Sequence, residues 1–197
     1  MATTATRSST TTFAEYLLLP YDGSKTELVN GTIVEMADPT ALHEDIIAFL
    51  LDALRAYIQA QEHSLIARAG VSIEIPRDRT SNARRPDVIV CSRSQWTDLR
   101  KLTQAVFLAG NPPALAIEVV SPNNLSRDTV DKRQDYALAG VPEYWIVNPI
   151  DGYVLVLVLK GSKYQELGEY RNADRIESRL LPQLELLAET ILEPPVL

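Results

Sequence analysis

The stretch PPALAIEVVSPNNLSRDTVDKRQDYALAGVPEY, residues 112–144, decides the fold of this chain. Within it, residues 114–120 form an apolar run with the length and β-branched content of a buried strand. Ser126 or Asp128 can cap the helix that follows, and Gly140 supplies its stop. A second apolar run comes directly after the helix. The stretch therefore predicts a buried strand, a helix and another strand in that order.

A carboxylate, Glu118, stands in the middle of the first of these runs. An isolated buried carboxylate is costly or takes up a proton, so Glu118 needs a cation, a metal ion or hydrogen-bond donors nearby. Asp87 offers a second carboxylate at the mouth of another short apolar strand, residues 88–91. Because each of two strands carries one acid, we expect a single metal site. An exposed edge position for Glu118 and an ordinary turn at Asp87 are the alternatives.

Length and composition indicate how the chain is divided. A chain of 197 residues, 46% of them hydrophobic, can form one domain with a substantial core. The first twelve residues are rich in Thr and Ser, and no run approaches the roughly 18 apolar residues of a membrane span. We therefore expect a disordered tail at residues 1–12, a single domain at residues 13–197, a cytoplasmic location and no membrane partner.

The side chains available as metal ligands favour a site built from oxygen atoms. One cysteine, Cys91, and two histidines, His43 and His63, are too few for a thiolate or histidine-rich site. Oxygen ligands suit Mg²⁺ or Mn²⁺, the ions that act on phosphates. Cys91 ends a predicted core strand, so we expect a buried small hydrophobe rather than a nucleophile.

Local patterns predict the remaining elements in the first half of the chain. Asn30-Gly31 between two short apolar runs predicts a β-hairpin, because both turn positions need positive φ. Asp38-Pro39 predicts the start of an amphipathic helix that continues to about Gln61. Residues 65–75 and 87–91 predict an antiparallel pair of strands joined by an arginine-rich loop.

The order helix, strand, strand, strand, helix, strand, with acids on the second and third strands, resembles a PD-(D/E)XK nuclease. More closely, the chain resembles the large bacterial Uma-type family of restriction-endonuclease-like proteins. The motifs that carry this resemblance are ELVNG at residues 27–31, His43 on the first helix, RPDV at 85–88, IEVVSP at 117–122, RDTVDKRQDYALAGVPEYW at 127–145 and the hairpin that follows. The resemblance implies an α/β (α+β) fold with a restriction-endonuclease-like core, in which helices flank a central mixed β-sheet with N-terminal and C-terminal β-hairpins.

The resemblance also implies a metal site and a reaction. Asp87 and Glu118, with a backbone carbonyl near Val119, would hold Mg²⁺ or Mn²⁺. The ion lowers the pKa of a bound water and neutralises the phosphate.

The family pattern places a catalytic lysine two residues after the glutamate, where this chain has Val120. The resemblance implies that Lys132 on the next helix takes that catalytic role. Tyr136 stands four residues later on the same helical face and is a further candidate. Pairing of Lys132 with Asp128 or Asp135 on an exposed surface is the alternative.

Two more residues are candidates for the active site. His43 lies in the first turns of the amphipathic helix, where it either points at the site or has a surface role. Glu74 precedes the arginine-rich loop, and strand alternation either adds it to the acids or turns it to solvent.

Three functions fit these residues. The first is a Mg²⁺- or Mn²⁺-dependent endonuclease that hydrolyses phosphodiester bonds of DNA, as a homodimer by analogy with enzymes that cut both strands. The second is a non-catalytic binding or assembly protein that retains the nuclease fold, which Val120 and the net charge of −7 favour. The third is hydrolysis of a smaller phosphate compound.

Overall fold

The computed structural model describes residues 10–20, 24–121 and 127–196. The helices in this part of the chain are α1 Phe13–Leu17, α2 Ala41–Ala60, α3 Arg93–Leu99, α4 Arg127–Ala139 and α5 Ala188–Leu192. The strands are β1 Thr26–Val29, β2 Thr32–Glu35, β3 Leu65–Ala69, β4 Ser72–Ile75, β5 Asn82–Arg84, β6 Val88–Ser92, β7 Val106–Phe107, β8 Leu115–Val119, β9 Glu143–Asn148, β10 Tyr153–Lys160 and β11 Lys163–Tyr170.

The predicted mixed sheet is present and has the strand order β11-β10-β9-β8-β6-β3. The pair β8–β9 is parallel, and α4 lies between these two strands in the chain. The neighbouring pairs β3–β6, β6–β8, β9–β10 and β10–β11 are antiparallel. This sheet confirms the strand, helix and strand predicted for residues 112–144, as well as the C-terminal hairpins.

Strand β8 is buried on both faces because a separate core covers each of them. Leu115, Ile117 and Val119 belong to the core that includes the apolar face of α2. Ala116 and Val120 belong to the core on the opposite face, which α4 covers. Since side chains alternate along a strand, the carboxylate between Ile117 and Val119 is directed toward α4.

A second sheet, in the order β2-β1-β5-β4-β7, contains the predicted N-terminal hairpin. Asn30 and Gly31 adopt φ of 51° and 77°, which confirms the turn predicted from the Asn-Gly pair. The size of this sheet was not predicted. Residues 65–75 do not form one strand, because Gly70, with φ of 64°, ends β3 and the chain continues as β4 in the other sheet. Strand β5 lies inside the predicted arginine-rich loop.

Two helix ends differ in how well they were predicted. The start of α2 at Asp38-Pro39 was wrong by two residues, because Thr40 is the N-cap and its side chain accepts from the backbone N–H of His43 at 3.2 Å. Gly140 follows α4 with φ of 81°, which confirms the predicted stop. Ser126 lies outside the described residues, as does the side chain of Asp128.

The C-terminal segment packs onto the main sheet. Buried residues along it include Ile176, Leu181 and Ile191. Residues 1–9 of the predicted tail lie outside the described residues, so the division at residues 12 and 13 stays a prediction. Within the described ranges, no helix is long and apolar enough to cross a membrane.

Candidate active site

A pocket opens where β6 begins, β8 ends and α2 starts. It is lined by four of the predicted site side chains, His43, Asp87, Glu118 and Lys132, together with Val119. The strand register explains why the two acids meet. Val88 pairs with Ile117 across the antiparallel β6–β8 pair, so the next pair of residues in line is Asp87 and Glu118.

Glu118 is buried, with only 6% of its surface exposed, on a strand that has neighbours on both sides. An edge position for this residue is therefore excluded. Lys132 Nζ donates to Glu118 Oε2 at 3.0 Å, and the Tyr136 hydroxyl donates to Glu118 Oε1. The cation and the donor expected of a buried carboxylate are both supplied by α4.

The environment of Glu118 changes its protonation. Burial raises the pKa of the Glu118 carboxyl to about 8, although the Lys132 cation opposes the rise. The charges of Asp87 and Glu27 add to the increase, whereas the hydrogen bond from Tyr136 reduces it. Without a bound metal ion, Glu118 therefore holds a proton at neutral pH.

Asp87 is fixed by the strand next to it. Its Oδ2 accepts from the backbone N–H of Val119 at 2.8 Å and lies 3.5 Å from His43 Nε2. The His43 side chain is only 11% exposed, and its Nδ1 is buried without a hydrogen-bond partner among the described residues. A surface role for His43 is excluded, because the imidazole faces the pocket.

Lys132 is also buried, with 4% of its surface exposed. An exposed surface position for Lys132 is therefore excluded. The Asp135 carboxylate accepts from Arg84 Nε at 2.6 Å and from Arg77 Nη2, and the side chain of Asp128, the other partner considered, lies outside the described residues. Lys132 and Tyr136 lie on one face of α4, as their four-residue spacing predicted, and both contact Glu118.

A third buried acid, Glu27 on β1, was missed as a site residue. Its Oε2 accepts from Arg84 Nη1 at 2.7 Å, and its Oε1 lies 3.9 Å from Lys132 Nζ. Burial lowers the pKa of Arg84, but the carboxylates of Glu27 and Asp135 outweigh this effect, so the net shift is upward. The available signal was the position of Glu27 in the ELVNG motif, where an acid precedes two apolar residues of a short strand.

Glu74 is not among the residues that line the pocket. Its carboxylate accepts from Ser81 Oγ at 2.7 Å and from the backbone N–H of Ala109 at 2.9 Å. These hydrogen bonds connect β4 with neighbouring loops, so Glu74 has a structural role. Cys91 is fully buried, and burial raises the pKa of its thiol to about 11, so the prediction of an unreactive core cysteine agrees with its environment.

The donor set at the pocket fits a hard divalent cation. Asp87, directly before β6, and Glu118, on the adjacent β8, provide carboxylate oxygens, and Val119 also lines the pocket. In the part of the chain that the structure describes, no group of three or more His, Cys, Asp or Glu side chains is arranged to bind a metal ion. Mg²⁺ suits a site with two carboxylates, since it keeps several of its water ligands.

Comparison with solved structures defines the class of fold. The crystal structure of "a putative nuclease belonging to DUF820 from Anabaena variabilis ATCC 29413" superposes with a TM-score of 0.75 over 92% of this chain and 97% of that chain, at 18% sequence identity. The two chains share a fold, which confirms the predicted α+β class.

A family model identifies the chain more closely. The Uma2 model, described as "Putative restriction endonuclease", matches residues 13–189, so the chain belongs to the Uma2 family. This result confirms the resemblance seen in the sequence motifs. No curated protein matches the chain.

Proposed function

We propose that this protein is an endonuclease that hydrolyses phosphodiester bonds of DNA with the help of Mg²⁺ or Mn²⁺. The observation that carries the proposal is the meeting of two acids and a cation in one pocket. Asp87 and Glu118 come from adjacent strands, and Lys132 Nζ lies 3.0 Å from Glu118. Membership of a family described as "Putative restriction endonuclease" supports the same reaction class.

Each residue has a distinct part in this proposal. The carboxylates of Asp87 and Glu118 would hold the ion with the Val119 carbonyl, and the ion would supply an activated water and neutralise the phosphate. Lys132 stabilises negative charge that develops on the phosphate. Tyr136 orients Glu118 through its hydroxyl.

The charge balance of the pocket favours a bound cation. When both acids are ionised, Asp87 and Glu118 carry two negative charges against the single positive charge of Lys132. In the absence of metal, the excess is removed by the proton that Glu118 retains because its pKa is about 8. Glu118 would release this proton to hold a divalent ion. The three side chains and the ion would then carry a net positive charge, which would attract a phosphodiester.

The test is cleavage of supercoiled plasmid DNA with and without Mn²⁺, comparing the wild type with Asp87→Asn. The variant should lose cleavage and metal binding while it keeps its fold. Glu74→Gln is the matched control, because it removes an acid that does not line the pocket and should cleave like the wild type. Cleavage by Asp87→Asn at the wild-type rate would contradict the proposal.

A second candidate function is a non-catalytic binding or assembly protein. It is favoured by Val120, which occupies the family's lysine position and is buried in the same core as Tyr136. This candidate predicts no metal-dependent cleavage of DNA or of smaller phosphodiesters.

We place the nuclease in the cytoplasm and propose that it is a homodimer, because cutting both strands of a duplex needs two active sites. Sedimentation velocity would determine the oligomeric state.

A further inference from the structure

The ammonium of Lys132 lies between two buried carboxylates that belong to different sheets. Lys132 Nζ is 3.0 Å from Glu118 Oε2 on β8 and 3.9 Å from Glu27 Oε1 on β1. Glu27 is 5% exposed, so this second carboxylate is as buried as the first. A buried carboxylate at this distance is available as a full partner for the ammonium.

Glu27 is held in place independently of Lys132. The guanidinium of Arg84 donates to Glu27 Oε2 at 2.7 Å, and the backbone N–H of Arg85 donates to Glu27 Oε1 at 3.0 Å. Arg84 also donates to Asp135 at 2.6 Å, three residues after Lys132 on α4. Both ends of this network are therefore fixed, while the long Lys132 side chain lies within reach of the Glu118 and the Glu27 carboxylates.

A metal ion on Glu118 would compete with Lys132. Both are cations directed at one carboxylate, and at such short separation in a buried site they repel each other strongly. Lys132 is 4% exposed, so moving its ammonium into solvent would require opening the packing of α4. A shift toward Glu27 keeps the ammonium buried and paired.

We propose that Glu27 is a positioning residue that accepts the Lys132 ammonium when a divalent cation binds Glu118. The inference rests on the metal site of the proposed function. Glu27 thereby lowers the free-energy cost of metal binding. It also keeps the ammonium near the ion, on the side where a phosphate would lie. The residue does not touch the ion or the substrate.

The experiment measures Mn²⁺ affinity by calorimetry in four proteins: wild type, Glu27→Gln, Lys132→Met and the double variant. Glu27→Gln should bind Mn²⁺ about 10- to 100-fold more weakly, the range for losing a residue that supports a metal ligand indirectly. In the Lys132→Met background the same substitution should have little effect, because no ammonium has to be moved. A direct effect of the Glu27 charge on the ion would persist in that background and would overturn the proposal.

A second measurement needs no variant. In a crystal structure of the wild type with Mn²⁺, Lys132 Nζ should lie within hydrogen-bond distance of Glu27 and farther than 3.0 Å from Glu118. An ammonium still bonded to Glu118 beside the ion would overturn the inference. If the wild type binds no Mn²⁺, the proposed function itself fails; equal affinity in wild type and Glu27→Gln refutes only the role of Glu27.

Discussion

Replacing Lys132 by methionine removes the ammonium and keeps most of the side-chain volume. The substitution suits a residue that is 4% exposed and lies on the buried face of α4. If Lys132 stabilises charge on the phosphate, its loss should slow metal-dependent cleavage by about 10²- to 10³-fold, or about 2.7–4 kcal/mol. Mn²⁺ binding should survive, because an ammonium is not a ligand.

The effect on folding depends on the protonation of Glu118. Breaking a buried ion pair usually costs about 3–5 kcal/mol, because the remaining charge loses its partner. The pKa of Glu118 is already about 8, and removing Lys132 raises it further. At pH 7 the carboxyl is therefore neutral and still bonded to Tyr136, so the free energy of unfolding should fall much less at pH 7 than at pH 9.

The assay is single-turnover cleavage of plasmid DNA in saturating Mn²⁺, with metal binding measured on the same samples. Lys101→Met is the matched control, since Lys101 is an exposed lysine paired with Asp98 on the surface. Val120→Lys in the Lys132→Met background should recover part of the rate, because Val120 and Glu118 line the same pocket. Wild-type cleavage by Lys132→Met would refute the catalytic role of this lysine.

Three further predictions concern protonation and the core. Mn²⁺ affinity should fall about tenfold per pH unit below pH 8, because Glu118 must release its proton, and calorimetry showing no pH dependence would count against this. The pKa of Glu118 is raised from 4.5 to about 8 in the folded state. Its contribution to the free energy of unfolding of the metal-free protein is therefore complete below pH 4.5 and is lost as the pH rises through 8. Glu118→Gln should abolish that loss in urea titrations. Cys91 should react with a thiol reagent only on unfolding, because burial raises its pKa to about 11, and rapid labelling of the native protein would show otherwise.

Local chemistry made much of the fold predictable. Asn30-Gly31 required positive φ and so fixed the first hairpin, and Gly140 ended α4 for the same reason. The apolar run around Glu118 identified the central strand, because its length and β-branched content are typical of a buried strand. The division into two sheets at Gly70 was not predictable, since it depends on which strands β3 and β4 meet in space.

The candidate site was predictable only in part, because one of its contacts also depends on which elements meet in space. The motifs identified Asp87 and Glu118, and helical spacing placed Lys132 and Tyr136 on one face. Glu27 lies in the second sheet, and only the tertiary fold brings its carboxylate within 3.9 Å of Lys132 Nζ. Sequence separation hides such a contact.

The central claim is that a divalent cation binds between Asp87 and Glu118, and anomalous diffraction from a crystal soaked in Mn²⁺ tests it directly. A single strong anomalous peak within ligand distance of both carboxylates, absent in Asp87→Asn, is the predicted result. A peak elsewhere on the molecule, or none in the pocket at saturating Mn²⁺, would contradict the claim.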